Sequence, residues 1–370
     1  MDTSFSPQKV LISTVVIFLA FAEAFSQDVK PQTPVAPFPY TVEEVVFKNA
    51  DAEDIQLAGT LFLPEKSKKA PVAIIISGSG PQNRNGTLLG HEYYLVLADH
   101  LVRQGIAVLR YDERGVAESE GEFKGSTSAD FSTDVEAAIS YLNTRKDINK
   151  KKIGLIGHSE GGLIAPMVAS RNTDVAYVVM MAGPGLDGGR VLSTQVEKST
   201  ALQGANPEVA KLNADFIAII AHKIRQKNDT LGLDKEIKSA WKQKRDSLSS
   251  FLQQAYNMDL LSAQMSFHKD PWMYEFFRLD PQEYLKKITV PVLAINGSLD
   301  VQVIAEVNLP QIKNALASSP SKDVTVKELE GLNHLFQEAT TGSALEYAQI
   351  KQTISPSVLE LIAAWINERF

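Results

Sequence analysis

The sequence has no cysteine among its 370 residues. Disulfide bonds, thiolate metal sites, iron–sulfur clusters and a cysteine nucleophile are therefore all excluded. Because 44% of the residues are hydrophobic, a chain of this length can bury a large core without covalent or metal cross-links. The absence of cysteine does not identify the compartment, since it is compatible with either side of a membrane.

An excess of positive charge is also lacking. Lysine and arginine number 37 against 44 aspartates and glutamates, which gives a formal net charge of −7. Nucleic-acid binding requires basic patches along a phosphate backbone, so we expect no nucleic-acid partner. The short lysine-rich runs at 66–69 and 150–152 are flanked by turn signals and are predicted to be solvated loops.

The apolar run near the N-terminus, Val10 to Ala22, is too short for an ordinary membrane-spanning helix, which needs about 20 apolar residues. Lys9 precedes this run, and Ala24-Phe25-Ser26 follows it with small residues at the two positions that a signal peptidase reads. The pattern predicts a signal peptide over residues 1–26 and an exported protein, periplasmic or secreted. An uncleaved anchor or a buried helix is the alternative; after cleavage we expect no stable membrane span.

The remaining chain divides into a tether and one large domain. Residues 27–40 are rich in proline, which predicts an extended and poorly ordered tether before a domain over residues 41–370. Apolar and polar residues alternate in Val42 to Phe47 and in Ile55 to Leu63, around a polar turn, so these two segments predict a β-hairpin.

From Pro71 onward, short apolar runs alternate with amphipathic stretches. The predicted strands are Val72 to Ile76, Ile106 to Leu109, Ile153 to Ile156, Val175 to Met181, Val292 to Ile295 and Val324 to Leu329, and the predicted helices include Tyr93 to Arg103, Phe131 to Thr144 and Gly162 to Ser170. Continuous apolar strands with helical crossovers predict a doubly wound α/β domain with a mostly parallel sheet. The alternation stops over about 186–285, which predicts a helical cap insertion.

The segment Gly157-His158-Ser159-Glu160-Gly161 directly follows an apolar strand and opens a helix at Gly162. A nucleophile on a tight strand-to-helix turn is held in strained backbone geometry, and the flanking glycines let neighbouring backbone pass close. The motif alone is weak, but in this context it predicts Ser159 as a catalytic nucleophile; a purely structural turn is the alternative. His158 is expected to pack rather than react.

A serine hydroxyl needs a base, and in enzymes built on this turn the chain order is nucleophile, acid, histidine. Of the six histidines, only His334 lies beyond the last acid position expected at the sheet edge, so His334 is the predicted base. Asp300 follows the strand Val292 to Ile295 through a short loop, and it is the predicted acid that orients the imidazole. Three other acids compete for that role: Asp323, Glu328 and Glu330.

An oxyanion hole requires two backbone donors. We predict the N–H groups of Glu160, which follows the nucleophile, and of Ser79 in the loop Ser77-Gly78-Ser79-Gly80-Pro81, with Gly80 as the alternative to Ser79. This glycine-containing loop lacks the spacing of nucleotide-binding motifs, so we expect no nucleotide, other cofactor or metal. In the nearby run Arg110-Tyr111-Asp112-Glu113-Arg114-Gly115, structural ion pairs are expected for Asp112 and Arg114.

Together these motifs resemble bacterial α/β-hydrolases of the prolyl-oligopeptidase-like branch, often labelled serine aminopeptidase-like, which includes lipolytic carboxylesterases. The resemblance extends over roughly Val42 to Phe370 with the motifs in family order. It implies the α/β-hydrolase fold and a Ser-His-Asp triad. One departure is that Ser77-Gly78 stands where that branch has His-Gly before the oxyanion loop, so a side-chain contact from that histidine is lost.

These observations predict a serine hydrolase that cleaves small carboxylic esters, with short acyl groups, through an acyl-enzyme. A serine exopeptidase is the alternative, although the residues preceding the domain are too few for a propeller and no anchoring acid for a peptide amino terminus is evident. A non-catalytic binding protein on the same scaffold is the third possibility. The natural ester and the oligomeric state stay open.

Overall fold

The computed structural model describes residues 30–65, 69–227, 229–255 and 269–370. The predicted signal peptide lies outside these ranges. Two compact units can be distinguished within the described residues, one formed by 187–279 and the other by the residues before and after it. None of the helices in these ranges is long and apolar enough to cross a membrane.

The larger unit is built on an eight-stranded sheet. Its strands, together with the short pair β4 and β5 outside the sheet, are β1 Tyr40–Asn49, β2 Ile55–Pro64, β3 Ala70–Ile76, β4 Thr87–Leu88, β5 His91–Glu92, β6 Ala107–Tyr111, β7 Ile148–His158, β8 Val175–Met181, β9 Val292–Gly297 and β10 Val324–Leu329. The strand order is β1-β2-β6-β3-β7-β8-β9-β10, parallel from β6 onward, with β1 and β2 antiparallel. The mostly parallel doubly wound sheet and the N-terminal hairpin are confirmed.

Helices cover this sheet because its central strands are apolar on both faces. They are α1 Tyr93–Arg103, α2 Ser128–Thr144, α3 Gly161–Ala169, α9 Gln282–Leu285, α10 Ala305–Ala317 and α11 Pro356–Asn367. Strand β7 is buried from Ile153 to His158, and α3 is buried along its whole length. One core cluster joins α1 and α11 to central strands of the sheet.

Strand β7 begins earlier than the sequence predicts. Lys150, Lys151 and Lys152 lie within it rather than in a solvated loop, so that prediction is wrong. The pairing of β7 with β3 shifts its register between Ala70 and Val72, opposite this end of the strand. The first two lysines stay exposed and the third is half-buried, because backbone pairing does not require an apolar side chain.

The smaller unit, residues 187–279, is helical. Its helices are α4 Gly188–Leu202, α5 Pro207–Arg225, α6 Leu233–Asp246, α7 Ser250–Ala255 and α8 Pro271–Phe276. Its own core centres on Trp241, which is fully buried and packs edge-to-face on Phe216 at 4.9 Å between ring centroids. Its cap role stays a prediction.

The described part of the proline-rich segment is attached to the larger unit. Lys30 Nζ donates to the backbone carbonyl of Ala348 at 2.7 Å, and Gln32 Nε2 donates to that of Ile354 at 2.8 Å. The Gln32 side chain also accepts the backbone N–H of Thr353. These bonds join residues more than 300 positions apart, so proline content alone could not predict this ordered attachment.

Candidate active site

Ser159 stands on the turn that joins β7 to α3. Its φ angle is 55°, in the left-handed region that costs a non-glycine residue roughly 1–2 kcal/mol. The turn is held by hydrogen bonds from Ser159 N to the Met181 carbonyl at 2.9 Å and from Gly162 N to the Ser159 carbonyl at 2.8 Å. Ser159 is half-buried whereas its neighbours His158 and Glu160 are buried, so the turn presents the serine side chain outward.

The glycines of this turn are required by close backbone approach. A Cβ atom on Gly157 would lie 1.9 Å from the Gly161 carbonyl oxygen, and one on Gly161 would lie 2.3 Å from that of Ile76. Neither distance can be accommodated by a side-chain rotation, because the obstructing atoms belong to the backbone. The G-x-S-x-G spacing is therefore a steric condition for the Ser159 conformation.

His334 and Asp300 form a buried pair. His334 Nδ1 donates to Asp300 Oδ2 at 2.7 Å, and the two residues are 3% and 2% exposed. Because the carboxylate accepts the Nδ1–H, the lone pair of the neutral imidazole is on Nε2. The other carboxylate oxygen, Oδ1, accepts backbone N–H groups from Gln302 at 2.8 Å and Val303 at 2.9 Å, which fixes the orientation of the acid.

The sheet places these groups at one edge. Ser159 follows β7, Asp300 follows β9 and His334 follows β10, and the carboxyl ends of parallel strands meet at the same edge. His158, next to Ser159, lies 4.9 Å from His334 between ring centroids. Of the competing acids, Asp323 pairs with Arg369 at 2.7 Å at the opposite end of β10. Glu328 and Glu330 lie near the carboxyl end of β10, but both are exposed whereas His334 is buried.

His158 has a specific role that its packing alone did not suggest. Its ring lies 4.9 Å from both the Tyr93 and the His334 rings, and its Nε2 donates to the backbone carbonyl of His334 at 3.0 Å. Burial lowers the pKa of His158 to about 3, and the nearby His334 lowers it as well. A neutral His158 therefore anchors the backbone of His334 without adding charge beside it.

The loop that carries His334 is held by buried amides. Asn333 Oδ1 accepts the backbone N–H groups of Leu335 and Gln337, each at 3.0 Å, and Asn333 Nδ2 donates to Gln337 Oε1 at 2.9 Å. Asn333 and Gln337 are fully buried. In the sequence these two residues carry no signal beyond being amides close to the histidine on either side.

The predicted oxyanion loop lies against Ser159. A Cβ on Gly78 would be 3.1 Å from the Ser159 Cβ, so the loop backbone passes directly beside this serine. The Gly78 N–H donates to the Tyr94 hydroxyl at 2.9 Å and is therefore engaged. Within the described ranges, the Ser79 N–H has no hydrogen-bond acceptor. The Glu160 carboxylate is buried and accepts the Ser128 hydroxyl at 2.6 Å.

Comparison with protein families gives a direct match. The family described as serine aminopeptidase, S33, matches residues 90–339, which is more than half of the chain. The chain belongs to this family. The matched range of this S33 protein includes Ser159, Asp300 and His334, whereas the predicted oxyanion loop precedes it.

The S33 protein is also similar to individual hydrolases. Esterase EstD from Thermotoga maritima is 24% identical over 329 residues, which cover 89% of this chain and 69% of that protein. Monoglyceride lipase from Rattus norvegicus is 25% identical over 319 residues, which cover 82% of this chain and 85% of that protein.

Solved structures resemble this S33 protein in fold. The alpha/beta hydrolase GrgF from Penicillium sp. sh18 has a TM-score of 0.53 at 18% identity, covering 89% of this chain and 98% of that one. An esterase from Pyrococcus furiosus has a TM-score of 0.50 at 16% identity, covering 94% and 99%. With the sheet described above, these likenesses show the α/β-hydrolase fold.

The charged run after β6 of the S33 protein forms the expected ion pairs. Asp112 Oδ2 accepts Arg84 Nη2 at 2.6 Å, and Arg114 Nε donates to Asp134 Oδ2 at 2.8 Å. The two carboxylates are almost completely buried. Glu113, between Asp112 and Arg114 in the sequence, is also buried, and within the described residues its carboxylate pairs with no cationic side chain. It accepts hydrogen bonds from the loop beside Ser159 instead.

Proposed function

We propose that this S33 family protein is a serine hydrolase that cleaves carboxylic esters with short acyl groups through an acyl-enzyme. The observation that carries the proposal is the strained Ser159 turn at the same sheet edge as the buried Asp300–His334 pair. The names of the two sequence relatives, an esterase and a monoglyceride lipase, favour an ester over an amide.

In the proposed mechanism, His334 Nε2 takes the proton of Ser159 Oγ as that oxygen attacks the ester carbonyl carbon. Asp300 stabilises the imidazolium that forms, because its carboxylate is hydrogen-bonded to Nδ1 at 2.7 Å. The tetrahedral oxyanion accepts the backbone N–H groups of Ser79 and Glu160. His334 then returns the proton to the leaving alcohol and activates a water molecule that releases the acid.

The test compares the wild-type protein with Ser159→Ala on p-nitrophenyl esters of increasing acyl length. We expect turnover to be highest for acetate and butyrate and to fall by at least about 10³-fold in the variant, because no nucleophile remains. Ser126→Ala is the matched control, since Ser126 is a half-buried loop serine whose hydroxyl donates to the backbone carbonyl of Glu122. Full activity in Ser159→Ala would falsify the mechanism.

A second candidate is an aminopeptidase, and the description of the matching family favours it. The same nucleophile and base would then cleave an amide next to a free amino terminus. Comparing kcat/KM for an aminoacyl-nitroanilide with that for p-nitrophenyl acetate separates the two. A higher value for the anilide would replace the ester proposal with this one, and failure of a fluorophosphonate to label Ser159 would exclude both.

A further inference from the structure

Glu113 bridges the two ends of the loop beside the nucleophile. Its Oε1 accepts the hydroxyl of Ser77 at 2.5 Å, and its Oε2 accepts the backbone N–H of Gln82 at 2.8 Å. Its own backbone N–H donates to the Gln82 carbonyl at 3.3 Å. One buried side chain thus spans the segment 77–82 from its first residue to its last.

The bridged segment includes the predicted oxyanion donor. Ser79 lies between the two anchored positions, and Gly78 lies against the Cβ of Ser159. A displacement of this segment would therefore move the Ser79 N–H relative to the serine. Oxyanion stabilisation depends on donors within about 2.7–3.1 Å of the developing charge, so even a small displacement weakens it.

The carboxyl of Glu113 is held in an unfavourable environment. It is 7% exposed, and burial raises its pKa well above the usual range for glutamate, while the Ser77 and Gln82 bonds lower it. Burying a carboxyl group costs free energy unless hydrogen bonds compensate it. An apolar side chain of similar volume could fill the same space but could not hold the loop.

We propose that Glu113 is a positioning residue for the oxyanion hole, acting as a hydrogen-bonded bridge that holds segment 77–82 against Ser159. This role rests on the proposed function. It also gives a role to Ser77, which stands where the related branch has histidine. The Ser77 hydroxyl donates to Glu113. Glu113 does not contact the reacting atoms; it acts through the backbone of the loop.

The test compares Glu113→Leu, Glu113→Gln and Ser77→Ala on p-nitrophenyl acetate, with kcat and KM measured separately. Leucine removes both bonds, so kcat should fall about 10- to 100-fold while KM changes by less than about threefold. Glutamine can accept the Gln82 N–H and donate to the Ser77 hydroxyl, so it should restore kcat to within about fivefold of wild type. Ser77→Ala removes one bond, and its loss should be intermediate.

Glu120→Gln is the matched control. Glu120 also accepts a backbone and a side-chain donor, both from Gln56, but it is exposed and has no bond to segment 77–82. Its kcat should equal that of the wild-type protein. A melting temperature for each variant separates folding from catalysis.

Three results would overturn the proposed role of Glu113. They are wild-type kcat in a folded Glu113→Leu variant, a kcat in Glu113→Gln as low as that in Glu113→Leu, or a change in Glu113→Leu that raises KM and leaves kcat unaltered. If Glu113→Leu does not fold, Ser77→Ala decides, and an unchanged kcat in that variant rejects the role. An inactive wild-type protein would reject the proposed function and this role together, whereas an active wild type with an equally active Glu113→Leu rejects this role alone.

Discussion

At the scale of single residues, the candidate site is defined by a few short contacts made by buried groups. The Asp300 carboxylate accepts hydrogen bonds from two backbone N–H groups and from His334 Nδ1, so it cannot rotate away without losing all three bonds. This arrangement resembles that of an acid whose task is to orient and stabilise a neighbouring imidazole.

Asp300→Asn should lower kcat on p-nitrophenyl acetate by about 10³- to 10⁴-fold, because an amide cannot stabilise the imidazolium and can favour the wrong tautomer of His334. Asp323→Asn is the control, since Asp323 pairs with Arg369 at the other end of β10. Wild-type kcat in Asp300→Asn would show that the Asp300–His334 pair has no catalytic role.

His158 should make stability depend on pH. Its pKa is about 3 in the folded protein and about 6.5 when unfolded, so between these values only the unfolded chain binds the proton. Stability is therefore lost as pH falls from about 6.5 toward 3, by up to roughly 1.4 kcal/mol per pH unit.

His158→Phe removes that titration while keeping a ring, so its urea midpoint should fall less than that of the wild type between pH 7 and pH 4.5. His222→Gln, which replaces an exposed histidine, is the control and should follow the wild type. An equal fall in the urea midpoint of His158→Phe and of the wild type between pH 7 and pH 4.5 would contradict this interpretation.

At the scale of elements, hydrophobic periodicity predicts strands and helices well where one pattern dominates. Helix α1 has the predicted bounds, Tyr93–Arg103, and β8 has the predicted bounds, Val175–Met181. The short pair β4 and β5 was not predicted, because two-residue strands have no periodicity. The lysines of β7 were misassigned because a strand end at a register shift tolerates charge.

Within residues 187–279, helices α5 and α6 depend on an aromatic contact. Trp241→Ala should destabilise this unit by about 3–5 kcal/mol, because it leaves a cavity beside Phe216. Limited proteolysis should then cut within 187–279 faster than in the wild type. Leu231→Ala is the control, since Leu231 is 81% exposed and its loss should cost under about 0.5 kcal/mol. Equal cleavage rates for both variants would contradict this role.

At the scale of the whole molecule, export stays a prediction from the sequence. Expression of the full chain in a bacterium should yield a mature protein that begins at Gln27, because the signal peptidase site is predicted after Ser26. N-terminal sequencing or intact-mass measurement of the extracytoplasmic fraction tests this. Ala24→Leu should block processing, since a bulky residue does not fit a position that requires a small one, and an unprocessed wild-type chain would contradict the prediction.

The sequence by itself determined the fold class and proposed all three triad residues, because each carries a local signal: a strand, a turn motif and an ordered place in the chain. The tertiary structure decided which acid reaches His334, since Asp300 binds that ring whereas Asp323 pairs with Arg369. It alone joined Gln32 to Thr353, His158 to the His334 carbonyl, and Glu113 to both ends of the loop. Such contacts follow from strand order and crossover geometry, which place segments distant in the sequence within 3 Å of each other. Hydrophobic periodicity does not predict them, because it reports only local structure.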